Sequence, residues 1–438
     1  MIIDNFMRSI LQSILRFFAK AILDKYQPEI IAITGSVGKT SAKEAISLVL
    51  NKFGIQKSLK NYNNELGVPL TIIGAETAGK NIFKWLAVFW RAKKLILWKD
   101  KNYPKILILE LGVDRPGDMD YLLKFVKPNI GVLTRVGPVH LEKFGTQEKI
   151  LEEKSKLIKF LPKTGFAVLN YDYKDVLSLC DATKAKCITY GFEEGADVRA
   201  KNIIFGRGQA SFTLEYNDMT TPVVLMHAVG APQIYAILSG ICCGIIRGMS
   251  LEEIKRALKN YNPPKGRGNI IKGIKNTIII DETYNASPQA VLAALQNLKN
   301  LAPSFSPPAR GGVRGGGRSI AVLGDMLELG VISKDAHLEV GQKVQELKID
   351  YLFTVGSRAK DMAKSAADSG MNKNKIYSFD KNFELGKFLQ EKMEEGDTIL
   401  VKGSQSARME KVIKEIMAEP EKAEELLVRQ SEEWKRVD

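Results

Sequence analysis

Three histidines and four cysteines are all that this chain of 438 residues contains. The cysteines, Cys180, Cys187, Cys242 and Cys243, have neither metal-ligand spacing nor the density of a disulfide-stapled fold. That excludes a zinc-ribbon or small secreted scaffold and fits a reduced cytoplasm. Arginine-rich runs interleaved with aromatics are also missing. The net charge of +14 therefore points to nucleotides, sugar phosphates or an acidic membrane surface ahead of nucleic acid. No N-K-x-D guanine reader occurs, which weighs against a GTPase-type switch even though Asp114-Arg-Pro-Gly117 resembles its D-x-x-G turn. With 45% hydrophobic residues, the chain has the material for a substantial core and for two or three domains.

The stretch from Ile30 to Leu50 organises the rest. A β-branched apolar run, a glycine-bearing turn and an amphipathic run read as strand, loop and helix, the context a phosphate-binding loop needs. Gly35 and Gly38 let the backbone approach a phosphate, with Ser36 and Val37 between them. Lys39 supplies a cation for the terminal phosphates, and Thr40 offers a hydroxyl to Mg²⁺. Ser41 follows at the positive end of the helix. Ile33 stands where the first glycine of G-x-x-x-x-G-K-[ST] belongs, so the loop is a shorter variant. The plain alternative is a glycine turn with a surface lysine.

Residues 2–23 place apolar side chains three and four apart and read as an amphipathic helix. They lack the basic start and clean apolar stretch of a secretion signal or membrane span. Two readings stay open, a helix packed on the following domain or one lying in a membrane surface. Three of the four tryptophans fall between Asn81 and Trp98 among lysines and Arg91, a pattern that suits either a core helix or a lipid headgroup zone. Between these segments, Asn63 and Asn64 sit in an amide-rich loop, where amides either cap a turn or bind a polar ligand.

A strand at 105–109 ends in Glu110, and another at 130–134 leads through Arg135 to His140. Ligands in doubly wound sheets sit beyond the carboxyl ends of strands, so Glu110 is placed to hold Mg²⁺ near the phosphate loop. His140 follows a strand-end turn, and a lone histidine there is either structural or a ligand. Lys154 and Lys156 lie on the next helix. The segment from Asn262 to Gly268 is a Pro/Gly linker, and alternating strands and helices follow. Residues 303–318 interrupt them as an expected disordered insertion.

The expected fold is α/β, a central doubly wound P-loop domain plus a C-terminal Rossmann-like α/β domain, with a short N-terminal amphipathic helix. The expected boundaries are 1–27 for the helix, 28–262 for the central domain, 263–417 for the C-terminal domain and 418–438 for a charged helical tail, exposed but with Leu426, Leu427, Val428 and Trp434 as a docking face.

Six motifs in order resemble those of the Mur ligases. They are Gly35-Ser-Val-Gly-Lys-Thr-Ser, Asn61 through Leu70, Glu110-Leu-Gly with His140-Leu-Glu-Lys-Phe-Gly, Ile280-Asp-Glu-Thr-Tyr-Asn-Ala-Ser-Pro, Leu323-Gly-Asp-Met-Leu-Glu-Leu-Gly with His337 downstream, and Val401-Lys-Gly-Ser. The last three are similar to the MurF branch. The resemblance implies an ATP-dependent cytoplasmic ligase, monomeric, that joins D-alanyl-D-alanine to UDP-N-acetylmuramoyl-tripeptide for the cell wall. It implies two Mg²⁺, held by Thr40, Glu110 and His140, and a CO₂-derived carbamate on Lys154. Lys39, His140 and Lys154 would be catalytic. Arg267, Asp281, Tyr284 and Asn285 would reach the nucleotide beside the phosphate loop. Asn63, Asn64, Arg135, Lys402 and Ser404 would face substrate.

There are departures from the family pattern. Only 34 residues precede the phosphate loop, so the UDP-holding domain that the resemblance implies there is expected to be missing, and Pro232 and Ala236 replace polar residues that the resemblance implies near the adenine. Arg135 stands for an asparagine and Lys156 for a glutamate. These departures, with residues 1–24 and 81–98, leave a second reading: a ligase for a lipid-linked or other non-UDP acceptor, in peripheral contact with the inner face of the membrane. A polyglutamate-type ligase and a P-loop switch complete the alternatives.

Overall fold

The computed structural model describes residues 2–58, 62–79, 81–137, 141–206, 209–228, 230–305 and 317–435. His140 and residues 306–316 of the insertion lie outside this set. The chain divides into two compact units, the first comprising 1–201, 214–221 and 235–258, the second 202–213, 222–234 and 259–438.

In the first unit, β1 (Glu29–Thr34), β2 (Ile55–Lys57), β3 (Ile106–Glu110), β4 (Ile130–Leu133), β5 (Phe166–Asn170) and β6 (Lys186–Gly191) pair in parallel in the order β2-β3-β1-β4-β5-β6. β1, β3 and β4 are nearly unbroken aliphatic runs because both faces of a parallel sheet are covered. The chain order reverses at β1, which lies between β3 and β4. That makes the carboxyl end of β1 the switch point where ligands bind in such sheets. β6 passes on to β7 (Val198–Gly206), followed by β8 (Gln209–Tyr216) and β9 (Met219–Met226), which alternate buried and open residues.

Helices α1 (Ile2–Tyr26), α2 (Lys39–Val49), α3 (Gly67–Ile73), α4 (Ile82–Leu97), α5 (Asp118–Leu123), α6 (Leu141–Phe144) and α7 (Gln147–Phe160) belong to the same unit. α1 buries Leu15, Ala19, Ile22 and Leu23 in the core shared with α3 and α4, which favours the packed reading of its inner face. Asn81 caps α4 by accepting from Lys84 N. The helix at Leu251–Leu258 starts with a capping box, in which Glu253 N donates to Ser250 Oγ and Ser250 N to Glu253 Oε2.

Cys180 and Cys187 form a disulfide, while Cys242 and Cys243 are free and buried. The pair departs from the reduced setting that the cysteine count suggested. Low cysteine density speaks against a stapled fold and says nothing about one local pair.

In the second unit, β10 (Asn269–Lys272), β11 (Ile278–Glu282), β12 (Ser319–Gly324), β13 (Tyr351–Val355), β14 (Ile376–Phe379) and β15 (Thr398–Lys402) form a sheet of order β10-β11-β15-β12-β13-β14. Only β10 runs antiparallel to its neighbour. The helix at Pro288–Phe305 continues into the residues expected to be an irregular insertion. The tail departs from an exposed helix. It makes short turns at Pro420–Lys422, Ala423–Leu426 and Glu432–Lys435, and it buries Ala423 and Leu427 in a core cluster.

Candidate active site

The register pairs Ile33 of β1 with Glu110 of β3 and Thr34 with Leu133 of β4, so three strand ends open at one place. Gly35 leaves β1 at φ +145°, where a Cβ would stand 2.0 Å from Thr134 Oγ1. The loop is pinned from β4. Ser36 N donates to Arg135 O (2.7 Å), Thr134 Oγ1 to Val37 O (2.7 Å) and Ser36 Oγ to Gly137 O (3.0 Å). Gly38 turns at φ +91° into α2, whose first turn carries Lys39, Thr40 and Ser41. Lys39 Nζ folds back onto Gly35 O at 2.6 Å, over the concavity an anion would fill.

Thr40 Oγ1 lies 3.2 Å from Glu110 Oε2, and Asn63 Nδ2 lies 3.5 Å from Glu110 Oε1. Lys43 Nζ approaches the same carboxylate at 3.8 Å and Ser58 at 3.3 Å. Glu110, Thr40 and Lys43 are all buried. One carboxylate and one hydroxyl beside a phosphate loop fit Mg²⁺, which keeps several waters and takes its other ligands from substrate phosphates. No cluster of three or more His, Cys, Asp or Glu occurs among the described residues, so an all-protein cage is not what these residues offer.

Lys154 is buried on α7. Burial, and then the charge of Lys39, pulls its amine down to about 7, with Asp114, Glu153 and Asp118 acting the other way. The site thus holds an amine that is half neutral near neutral pH, the form that can add CO₂.

Other expected residues have structural work. Asn64 Oδ1 accepts from Leu66 N and Gly67 N and so caps α3, while its neighbour Asn63 faces Glu110. Asp118 Oδ2 accepts from Asp114 N and Arg115 N, so the D-x-x-G look-alike is a capped turn. Lys156 bridges Asp120 and Glu153, and Glu153 in turn accepts from Gly117 N and Met119 N. Arg135 stacks on the Tyr173 ring at 4.9 Å. A cavity of about 360 Å³ adjoins Asn63 and Gly112. Its wall includes Arg8 and Gln12 of α1, which both donate to Glu65 Oε1 at 2.9 Å. Sequence reading missed these two, and their only signal was polar spacing on an amphipathic helix.

In the second unit, the carboxyl ends of β11 and β15 lie side by side, with Glu282 opposite Lys402. Lys402 Nζ binds Glu282 Oε2 (3.1 Å) and Asn285 O (3.0 Å). Ser404 Oγ accepts from Leu327 N at 2.8 Å, and His337 Nε2 accepts from Met326 N at 3.0 Å. These hold loops in place. Asp281 is fully enclosed. Its oxygens accept from Gly266 N, Thr283 N and Thr283 Oγ1, so the carboxylate locks two loops together. The Arg267 guanidinium lies 3.9 Å from the Tyr284 ring centre, and Asn285 next to Tyr284 in the chain is exposed. Gln233, next to Pro232, donates to Arg267 O and accepts from Tyr261 Oη, so its amide is used internally. Arg429 was also missed. Buried in the tail, it binds Glu410 Oε2 (2.8 Å) and the carbonyls of Thr283 and Tyr284.

The Mur ligase middle domain matches residues 91–244 and the Mur ligase glutamate ligase domain residues 266–405. A UDP-N-acetylmuramoyl-tripeptide--D-alanyl-D-alanine ligase of Synechocystis sp. is 30% identical over 395 residues, 89% of this chain and 75% of the relative. One of Bacillus subtilis is 27% identical over 407 residues, 93% of this chain and 79% of the relative. The crystal structure of MurF ligase from Thermotoga maritima in complex with ADP superimposes with a TM-score of 0.76 at 27% identity, covering 94% of this chain and 84% of that one. With these two domains in this order and a relative at 30% identity over most of its length, the chain belongs to the Mur ligase family.

Proposed function

We propose that this chain is an ATP-dependent, ADP-forming ligase that joins D-alanyl-D-alanine to UDP-N-acetylmuramoyl-tripeptide, working as a monomer in the cytoplasm. The observation that carries this reading is the convergence of Lys39, Thr40 and Glu110 at the β1 switch point, with Lys154 close enough for the charge of Lys39 to act on it. An oxygen of the acceptor's terminal carboxylate attacks the γ-phosphorus, and ADP leaves. The amine of the dipeptide then attacks the acyl carbon, phosphate leaves with the C–O bonding pair, and the new amide nitrogen gives up a proton to solvent.

Loop amides from Gly35 to Thr40 orient the phosphates, and Lys39 offsets charge on the transferring group. Thr40 and Glu110 would hold one Mg²⁺, which would supply charge neutralisation to the phosphates. A carbamate on Lys154 would turn a buried cation into an oxygen ligand beside that ion. Arg267 and Tyr284 offer a flat cationic and aromatic face to a nucleotide. Phosphate release tests the reading. Release from MgATP and UDP-N-acetylmuramoyl-tripeptide should require D-alanyl-D-alanine, whereas release indifferent to the dipeptide points to a switch, and silence with both substrates to a different acceptor.

A further inference from the structure

Large apolar side chains left open to solvent are concentrated on α4 and the adjoining part of α1. On α4, Phe83, Leu86, Trp90 and Leu97 follow one another at steps of three, four and seven, so they form one stripe. The opposite face, Val88, Ala92 and Leu95, is buried. The helix is therefore apolar on two sides and docked by only one. Exposure on the open side is high, 82% for Phe83 and 65% for Trp90. The patch is continuous with α1. Phe17 of α1, also exposed, meets Phe18 at 5.8 Å, Phe18 meets Phe89 at 6.0 Å, and Phe89 meets Trp85 at 6.0 Å. Soluble chains rarely leave such a patch uncovered.

The charges around the stripe select its occupant. Residues 81–98 contain Lys84, Arg91, Lys93 and Lys94 and no acidic side chain. Lys93 and Lys94 flank the stripe, and Lys94 Nζ lies 5.5 Å from the Trp90 ring centre. A second copy docked by two-fold symmetry would set these cations against themselves, which disfavours a dimer through this face. No helix among the described residues is long and apolar enough to cross a membrane. Tryptophan, phenylalanine and lysine on one convex helix face match the boundary between acyl chains and anionic headgroups.

We propose that α4, with the Phe17 side of α1, docks the chain in the plane of an anionic lipid surface, the stripe entering the acyl boundary and the lysines pairing with headgroup phosphates. The inference rests on this open face and not on the ligase reading.

Co-sedimentation of the full chain with vesicles of phosphatidylglycerol and phosphatidylcholine, against phosphatidylcholine alone, tests it. Wild type should partition on the order of 10-fold better onto the anionic vesicles, weaken as salt rises, and show a blue shift of tryptophan emission. The double variant Phe83→Glu/Trp90→Glu should lose binding by roughly 10-fold or more with an unchanged melting temperature, because both side chains are exposed. Equal sedimentation of wild type and variant, or no binding by wild type at millimolar lipid, overturns the proposal. So does a wild-type dimer in ultracentrifugation that the double variant abolishes, since a second copy would then cover the face.

Discussion

Lys43 Nζ lies 3.8 Å from Glu110 Oε2, and both side chains are buried beneath the phosphate loop. The lysine compensates a carboxylate whose other polar neighbours, Thr40 and Asn63, are uncharged. Removing one partner of a buried pair costs about 3–5 kcal/mol because the other charge stays behind. Lys43→Met is expected to lower stability by about 3 kcal/mol in urea denaturation. Magnesium nucleotide should narrow that gap, since a cation at Thr40 and Glu110 replaces the missing charge.

The phosphate loop tolerates a side chain at one glycine better than at the other. At Gly35 an added Cβ would strike Thr134 Oγ1 at 2.0 Å, and that hydroxyl anchors Val37 O. At Gly38 the nearest atom is 3.8 Å away and only the positive φ resists. Gly35→Ala should cost about 2–4 kcal/mol and abolish nucleotide-dependent phosphate release, while Gly38→Ala should cost about 1 kcal/mol or slightly more. Thermal denaturation of the two variants side by side checks the order.

Lys154 makes a prediction about dissolved CO₂. Its folded pKa of about 7 lies below the ordinary lysine value of 10.5, so the unfolded chain binds more protons between these values. The contribution of this group to stability therefore rises with pH across that window. A partly neutral amine beside a metal site should take up CO₂, so activity in CO₂-depleted buffer should fall several-fold and recover on adding bicarbonate. Lys154→Met should be inactive and indifferent to bicarbonate. Rate measurements across a bicarbonate series decide it.

The wall that α1 contributes to the cavity beside Asn63 predicts a kinetic split. Gln12 Nε2 and Arg8 converge on one oxygen of Glu65, so Gln12→Ala leaves Glu65 to Arg8 alone and changes the cavity without touching the phosphate loop. The KM for the tripeptide acceptor should rise about 2- to 10-fold, the worth of one hydrogen bond. The KM for ATP should stay where it is. Initial-rate kinetics varying each substrate in turn would expose the split.

Local pattern made part of this site legible before any coordinates. Gly35 to Thr40 lie within one strand-loop-helix unit, and Glu110 closes a strand whose apolar run is plain, so spacing alone puts both at strand ends. What stayed hidden depends on long-range contact. Lys43 reads as one more helix lysine until Glu110, 67 positions away, is seen beneath it. Arg429 lies in a tail whose charge suggests solvent, yet it binds carbonyls 145 and 146 residues earlier. Asn63 and Asn64 are chemically identical neighbours, and only backbone geometry separates the cap from the side chain that faces Glu110. Motif similarity placed Asp281 correctly at the end of β11 but could not reveal that it accepts three hydrogen bonds within its own unit.

That buried carboxylate titrates in an accessible range. Burial pushes the Asp281 carboxyl up to about 6 from 3.8, partly offset by hydrogen bonds from Thr283 and Gly266. Because the folded value is the higher one, the native chain binds more protons than the unfolded chain between these values. Stability from this group is therefore greatest below pH 4, declines as pH rises to about 6, and stays flat beyond. A displacement of that size corresponds to about 3 kcal/mol. Other carboxylates titrate in the same window, so the wild type alone does not isolate the effect. Asp281→Asn does, since the amide keeps an acceptor for Thr283 and cannot ionise, and the hydrogen bond from Gly266 N that it loses is lost equally at every pH. The stability of wild type minus that of Asp281→Asn, from urea denaturation, should fall by about 3 kcal/mol between pH 4 and pH 7. A difference independent of pH would mean that Asp281 ionises in the fold at no cost, and its hydrogen bonds would then have to hold a full charge.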